Sequence, residues 1–515
     1  MPIYVSEDAK SGTMPTYEEL LAENAALKAR VSELSAQLAA TLARIAELEA
    51  RLGTNSRNSS KSPSTDPPNV AARPKRPPSG RHQGGQPGHK GTTRSLLPPD
   101  KVDKIVDVRP PACQKCGAPL RGEDPKPRRR QVVDVPPVKP DVTEYRQHTL
   151  TCAACGAETS GSLPPGVAES VFSPRLKAML AMCSAVYRLS RRTVESLMAD
   201  FFGVDLSLGS VSACEETVSE SLAAPVAEAR EYVRAQPVAH VDETGFRQAV
   251  EPQPPRGESA GQAQAASETA AGEPPAKTTS KAWLWTAATA LVTVFMVHAK
   301  RGAAALSELL GGFAGLLVSD RWSAYSMFDA ARRQLCWAHL LRDFEWLAAF
   351  GGEIAATGGA LVEQAKLMFQ WWHELKAGAL SRPAFQERMR PLMARVEARL
   401  AEVAAGGHGK SAAMCREILK LRAALWTFVW REGVEPTNNA AERALRPAVL
   451  WRKGSFGSGS DRGSRFVERM LTVATTCRQQ GRNVVDYLVA ACEAHARGEP
   501  VPSLLPATPE PAIAA

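Results

Sequence analysis

Residues 237–246, "PVAHVDETGF", decide the reading of this chain. Val238, Ala239 and Val241 form a short apolar run of the kind that makes a buried strand. Asp242 stands where such a strand would emerge, and Gly245 is placed to let the chain turn away. The same pattern returns in "FAGLLVSDRWSAY" (313–325), where Leu316, Leu317 and Val318 lead into Asp320. A third acid, Glu442, lies in "PTNNAAERALRP" (436–447), which reads as a helix start. Two acids at strand ends and one on a helix repel one another until cations neutralise them. Such a set is suited to hard divalent metal ions.

The segments between these acids fit one architecture. Residues 251–280 are rich in Pro, Ala, Gly and Glu without apolar periodicity and read as a mobile excursion. Strands follow at about 282–288 and 291–299, then a helix near 302–312 and a fourth strand ending at Asp320. The order β-β-β-α-β, with acids ending strands one and four, is the ribonuclease-H-like arrangement. The uncharged run Ala282–Ala299 approaches membrane-spanning length. Thr286, Thr289 and Thr293 interrupt it, and Trp283 and Trp285 alternate as in a strand, so it reads as two buried strands and not a membrane span. Residues 340–430 form a helical insertion, with Trp371, Trp372, Leu375, Met389, Leu392 and Leu400 spaced for burial. The core thus covers 235–460, followed by C-terminal helices (461–497) and a disordered tail (498–515).

Upstream, residues 16–52 carry heptads. Leu20, Leu27, Leu34 and Leu48 fall on d, with Thr41 the weak position; Asn24, Val31, Leu38, Ile45 and Leu52 fall on a. One Asn at a among branched apolar residues favours a parallel two-stranded coil and hence a dimer; the alternative is a lone amphipathic helix. Residues 53–110 form a flexible basic linker in which Lys75, Arg76, Arg81, Lys90 and Arg94 are placed to neutralise phosphates. Residues 51–150 hold twenty Lys/Arg against nine Asp/Glu. The whole chain is +9, so the remainder is nearly neutral. One basic block on a neutral body points to nucleic acid, and a solvated linker is the plainer alternative.

Cys113-x-x-Cys116 and Cys152-x-x-Cys155, each followed by Gly, are zinc-knuckle pairs separated by 35 residues. Four thiolates at such spacing hold one structural zinc; a redox pair is the weaker reading. "RQVVDVPPV" and "VTEYRQHTLTC" between them look strand-like, giving a zinc-binding ribbon with a β insertion over 111–160. The other six cysteines are scattered as reduced core thiols are. Residues 173–230 are helical, and the helix from Ser207 resembles the second helix of a helix-turn-helix, although ordinary helical hairpins share that pattern. The fold class expected is therefore multidomain α+β: coiled coil, zinc ribbon, helical DNA-binding region and ribonuclease-H-like core.

The acids are 78 and 122 residues apart. "NSRNSSKSPS", "GGQPGHKG", the paired Cys-x-x-Cys, "HVDETGF", "SDRWSAY", "CWAHLLRDF", "NNAAERALRP" and "GSFGS" together resemble, in order, the large Asp-Asp-Glu transposase of the insertion-sequence-66 family. Each motif is weak alone; their ordered sum spans 17–495. The resemblance implies catalysis by Asp242, Asp320 and Glu442 with two magnesium (or manganese) ions, one shared by the aspartates and one held by Asp242 and Glu442. It implies cleavage of element ends and strand transfer to target DNA, in a bacterial cytoplasm at the nucleoid. The expected assembly is a homodimer or higher oligomer, with smaller companion proteins of the same element as partners. A non-catalytic DNA-binding protein, such as a decayed transposase or repressor, and a hydrolysis-only nuclease are the alternatives.

Neighbouring residues stay open between two roles. Arg443 and Arg446 either clamp phosphates or pair with acids. Asn438 and Asn439 either start the helix or orient DNA. Trp322 and Tyr325 either pack the core or stack on a base. Cys336 and His339 are only half a metal site and read better as a packed pair or a DNA contact.

Overall fold

The computed structural model describes residues 16–52, 91, 94–164, 170–250, 278–350, 352–406, 409–455 and 457–507. Lys75, Arg76, Arg81 and Lys90, and residues 251–277 of the excursion, lie outside them; Arg94 is described and exposed. The chain forms two compact units. One holds residues 1–70, 316–438 and 513–515, and the other holds 71–315 and 439–512.

The heptad segment is one helix, α1 (Tyr17–Leu52), of 36 residues. Leu20, Leu27, Val31, Leu34 and Leu38 are all exposed along it. In the larger unit, both cysteine turns are formed. Cys113 N–H donates to Ala118 O at 2.8 Å and Gly117 N–H to Cys113 O at 2.9 Å; Cys152 and Gly156 repeat the pattern at 2.8 Å each. Gly117 and Gly156 take φ of 75° and 72°, the left-handed turn a knuckle needs. The β insertion between them is not formed as the alternation suggested. The strands there are β1 (Thr149–Thr151) and β2 (Glu158–Ser160), paired antiparallel, and Ala112 and Pro119 form a single antiparallel bridge. Val132, Val133, Val135, Val138 and Val142 are exposed outside any strand. Pro136, Pro137 and Pro140 remove the N–H donors a ladder there would use.

Helices α2 (Pro174–Ala185), α3 (Arg191–Phe202) and α4 (Leu208–Ser221) each begin at a serine cap, Ser173, Ser190 and Ser207, whose hydroxyl accepts a backbone N–H three residues on. They share a core of Leu180, Val194, Met198, Leu206, Val211 and Cys214. α5 (Ala223–Arg234) leads into β3 (Val238–Val250), β4 (Thr278–Ala288) and β5 (Thr293–His298), an antiparallel meander in the order β5-β4-β3. The uncharged run is thus two strands of this sheet, and among the described residues no helix is long and apolar enough to cross a membrane. α6 (Ala303–Leu310) closes this half of the unit.

The second unit opens with β6 (Leu316–Ser319), paired in parallel with β7 (Arg333–Leu335). Two single 3-10 turns, Ser323–Met327 and Ala330–Arg332, connect them. The helical block follows as α7 (Trp337–Ala348), α8 (Gly352–Lys376), α9 (Arg382–Ala405) and α10 (Gly409–Lys420). Two one-turn helices, α11 (Arg422–Leu425) and α12 (Thr427–Trp430), complete it. Its core is aromatic: Trp372, Phe385 and Phe428 meet at 5.6–6.2 Å between ring centroids, and Trp337 meets Trp426 at 4.8 Å.

The chain then returns to the larger unit as α13 (Asn439–Ser455), α14 (Asp461–Gln479) and α15 (Val484–Ala496). The last two are not a separate appendage. α14 packs on β5, and α15 packs on α2 and α4, so the helical region 173–230 shares its core with the C-terminus. α14 also completes the edge of the sheet. Val297 N–H donates to Glu468 Oε1 at 2.6 Å, Phe295 N–H to Thr472 Oγ1 at 3.1 Å and Thr293 N–H to Thr476 Oγ1 at 3.1 Å. The periods match: four helix residues rise about 6 Å, and two strand residues advance about 6.6 Å. Three side chains thus satisfy the alternate donors that an edge strand leaves open. The tail is partly ordered too, against expectation. Leu504 is fully buried, and Tyr487 Oη donates to Pro502 O at 2.8 Å.

Candidate functional site

Asp242 lies in the middle of β3, not at its end. The strand runs on because Gly245 stays in register opposite Trp283, while Asp242 faces Thr286. Asp242 is half-buried and its Oδ1 accepts the Glu243 N–H at 2.9 Å. Glu243, the neighbour most easily mistaken for a ligand, is committed elsewhere: Arg301 holds its buried carboxylate at 2.8 Å.

Asp320 follows directly on β6, as the sequence suggested. Its Oδ1 accepts the Trp322 N–H at 2.8 Å, an Asx turn that fixes the carboxylate where the chain leaves the strand. Beneath it Arg333 is buried and donates to Asp320 O at 3.1 Å and Ser319 Oγ at 3.3 Å. The Tyr325 ring lies 5.9 Å from that guanidinium. Tyr325 is fully buried, whereas Trp322 is 37% exposed, so only Tyr325 is a core residue. Arg321 pairs with Asp343 at 2.6 Å, which removes Asp343 as a rival ligand.

Cys336, which precedes α7, is buried and its sulfur accepts the Asn438 N–H at 3.2 Å. His339 is pushed down to about 3, first by burial and then by Arg342 and Arg321, so its imidazole is neutral at physiological pH.

Glu442 is half-buried on the first turn of α13, a helix that packs on β3 and β4. Asp242 and Glu442 therefore stand on packed elements of one unit, while Asp320 belongs to the other. Arg443, Arg446 and Lys453 are exposed on α13 at spacings that share one face. Among the described residues they have no carboxylate partner, so the reading of Arg443 and Arg446 as partners of local acids is not realised.

α4 does not offer a groove-reading face. It carries Glu215, Glu216 and Glu220 and no basic residue, and Val211, Cys214, Glu215 and Val218 are buried. Glu215 is held by Arg191 at 2.6 Å.

Hydrogen bonds from the Cys116 and Lys115 backbone hold the Cys113 thiol below its usual range, and those from Ala154 and Cys155 do the same for Cys152. Backbone N–H groups aimed at sulfur favour thiolate, the form that binds zinc. The donor set, four cysteine sulfurs in two formed turns, fits zinc. Sequence patterning missed Arg333, Arg452 and Glu468. Nothing marked the arginines, while the polar spacing Glu468, Thr472, Thr476 on an otherwise apolar helix was a usable signal.

Residues 262–466 match the model described as "Transposase IS66 family" and residues 110–156 that of the "zinc-finger binding domain of transposase IS66". Residues 7–95 match a family of unknown function, DUF6444. Asp320 and Glu442 fall inside the transposase match, and Asp242 lies before its start. The chain thus carries two segments that match domains of the IS66 transposase family. It is 31% identical over 250 residues to "Uncharacterized protein y4qI" of Sinorhizobium fredii, covering 43% of this chain and 45% of that one. A second protein of that organism, "Uncharacterized protein y4hP", is 57% identical over 42 residues, 8% of each chain. The chain thus spans less than half the length of these curated relatives.

Proposed function

We propose that this chain is a DNA transposase that binds insertion-sequence ends, cuts them in a metal-dependent reaction and transfers the ends to target DNA. The observation that carries the reading is the transposase-domain match over 262–466, which takes in Asp320 and Glu442 in their motifs. The packing of Glu442's helix on the Asp242 strand supports it. Asp242, Asp320 and Glu442 are the catalytic residues of this proposal, and their carboxylates are the donors a hard divalent ion prefers. Magnesium or manganese bound there would supply Lewis-acid stabilisation and acidify the attacking water or hydroxyl. Arg443 and Arg446 would neutralise phosphates beside Glu442 without reading sequence. Arg94 and the linker residues Lys75, Arg76, Arg81 and Lys90 would add further phosphate contacts. The site of action is the nucleoid DNA of a bacterial cytoplasm, with companion proteins of the same element as partners.

Wild-type protein incubated with labelled element ends and magnesium is expected to give both nicked and joined products. Nicks alone would replace this reading with a hydrolysis-only nuclease, and binding without nicks with a non-catalytic DNA-binding protein.

Two structural proposals accompany it. Cys113, Cys116, Cys152 and Cys155 hold one zinc ion, which draws the two knuckles together. Native mass spectrometry of reduced protein is expected to find one zinc per chain, and Cys116→Ser with Cys155→Ser to lose it; a metal-free wild type would contradict the proposal. The exposed α1 seam pairs with the same seam of a second copy. Sedimentation at micromolar concentration is expected to show a dimer, and Leu27→Lys with Leu34→Lys a monomer. A monomeric wild type would remove the coil.

A further inference from the structure

The segment that follows Glu442 is fastened to the strand that carries Asp242 at two points. The first is Arg452, in the last turn of α13. Its Nη1 donates to Thr244 Oγ1 at 3.0 Å and to Gly245 O at 2.6 Å. A Cβ added at Gly245 would lie 3.3 Å from that nitrogen, so the glycine that failed to turn the chain instead makes room for the guanidinium. The second point is the end of "GSFGS". Ser458 N–H donates to Arg247 O at 2.9 Å, and Ser458 bridges Gln248 in parallel. Gly457 has φ of 115°, and a Cβ there would stand 2.0 Å from Arg247 O, so no larger residue fits this approach.

Both anchors follow in the same order along strand and helix: Thr244 and Gly245 with Arg452, then Arg247 and Gln248 with Ser458. Trp451, buried beside Arg452, meets Phe466 of α14 at 6.2 Å and seats the same end of the helix on the unit's core. Glu442 sits ten residues before Arg452, about 15 Å along the axis. Asp242 sits only two residues before Thr244. Pro447 interrupts the helix between the two positions, and the packing of α13 on β3 and β4 carries the hold at its far end to its first turn.

We infer that Arg452 is a positioning residue: it locks α13 onto β3 and thereby sets the distance between the Asp242 and Glu442 carboxylates that share a divalent ion. The inference rests on the proposed metal role of those two acids. Both contacts leave one nitrogen, so a lysine at position 452 keeps a donor for them, but on a flexible stem without the planar guanidinium that fixes the donor's direction.

The test is equilibrium Mn2+ binding to the full-length protein, read from the free-ion electron paramagnetic resonance signal, alongside the magnesium dependence of end cleavage. Arg452→Met is expected to weaken Mn2+ binding about tenfold and to raise the half-saturating magnesium concentration by a similar factor, with the apparent DNA affinity unchanged. Arg452→Lys is expected to recover part of both, and it carries the test should the methionine variant fold poorly. Wild-type Mn2+ binding in Arg452→Met, with loss of binding in Asp242→Asn, would overturn the inference. Wild-type binding in Asp242→Asn itself would instead overturn the metal role of Asp242 on which the inference stands.

Discussion

Asp242→Asn is expected to reduce end cleavage by about a thousandfold or more while leaving DNA binding intact, a loss of about 4 kcal/mol of transition-state stabilisation. The substitution keeps the size of the side chain and the oxygen that accepts the Glu243 N–H, so β3 keeps its register opposite Thr286. What it removes is a negative charge, and a hard cation binds an amide oxygen far more weakly than a carboxylate. Asp320→Asn is expected to behave alike, because its Asx turn to Trp322 needs only one oxygen. Two nearby controls are expected to retain activity to within a few fold, because Arg301 and Arg321 already hold the charges they alter: Glu243→Gln and Asp343→Asn. Gel-resolved cleavage of labelled ends measures all four. Equal activity in wild type and Asp242→Asn would remove that residue from the site.

The largest effect on stability is expected at Glu468, far from these acids in sequence. Its carboxylate is buried, accepts the Val297 N–H and pairs with Arg465 at 2.9 Å. Glu468→Ala strips a buried acceptor from the edge strand and the counter-charge from Arg465, which should lower unfolding stability by about 3 kcal/mol. Thr472→Val removes one acceptor from Phe295 and should cost about 1–2 kcal/mol. Urea titration followed by tryptophan fluorescence reads both. The pH dependence has a definite sign. Burial pushes the Glu468 carboxyl above its ordinary value of 4.5, more than Arg465 pulls it down. Below 4.5 the folded and unfolded chains both keep the proton. Above it the unfolded chain ionises first, so stability falls until the folded carboxyl titrates, and is then level. Glu468→Gln lacks this fall and should gain on wild type as pH rises through that window. The reverse trend would mean that the ion pair outweighs the burial.

Several strands were legible because they are largely apolar runs. Val238–Val241, Ala282–Ala288 and Leu316–Val318 all lie in strands, and the long uncharged stretch forms β4 and β5, as the interrupting threonines and the alternating Trp283 and Trp285 suggested. The reading failed where pairing partners decide the outcome. Gly245 looked like a turn but is held in the ladder by Trp283 on one side and Arg452 on the other. The valines from Val132 to Val142 looked like strands but lie beside prolines that cannot donate. The tail looked disordered because nothing local shows that Leu504 reaches a buried position. Of the candidate site, the acids and the cysteine pairs were visible as motifs. The arginines that hold their surroundings, Arg301, Arg321, Arg333 and Arg452, were not, because each acts on residues 13 to 208 positions away.

Mn2+ binding to the three single variants tests the proposed metal role of Asp242, Asp320 and Glu442 without recourse to activity. Wild-type protein is expected to bind Mn2+, and Asp242→Asn, Asp320→Asn and Glu442→Gln are each expected to lose most of that binding. A variant of any one of the three that binds Mn2+ as wild type does would show that its carboxylate is not part of the centre.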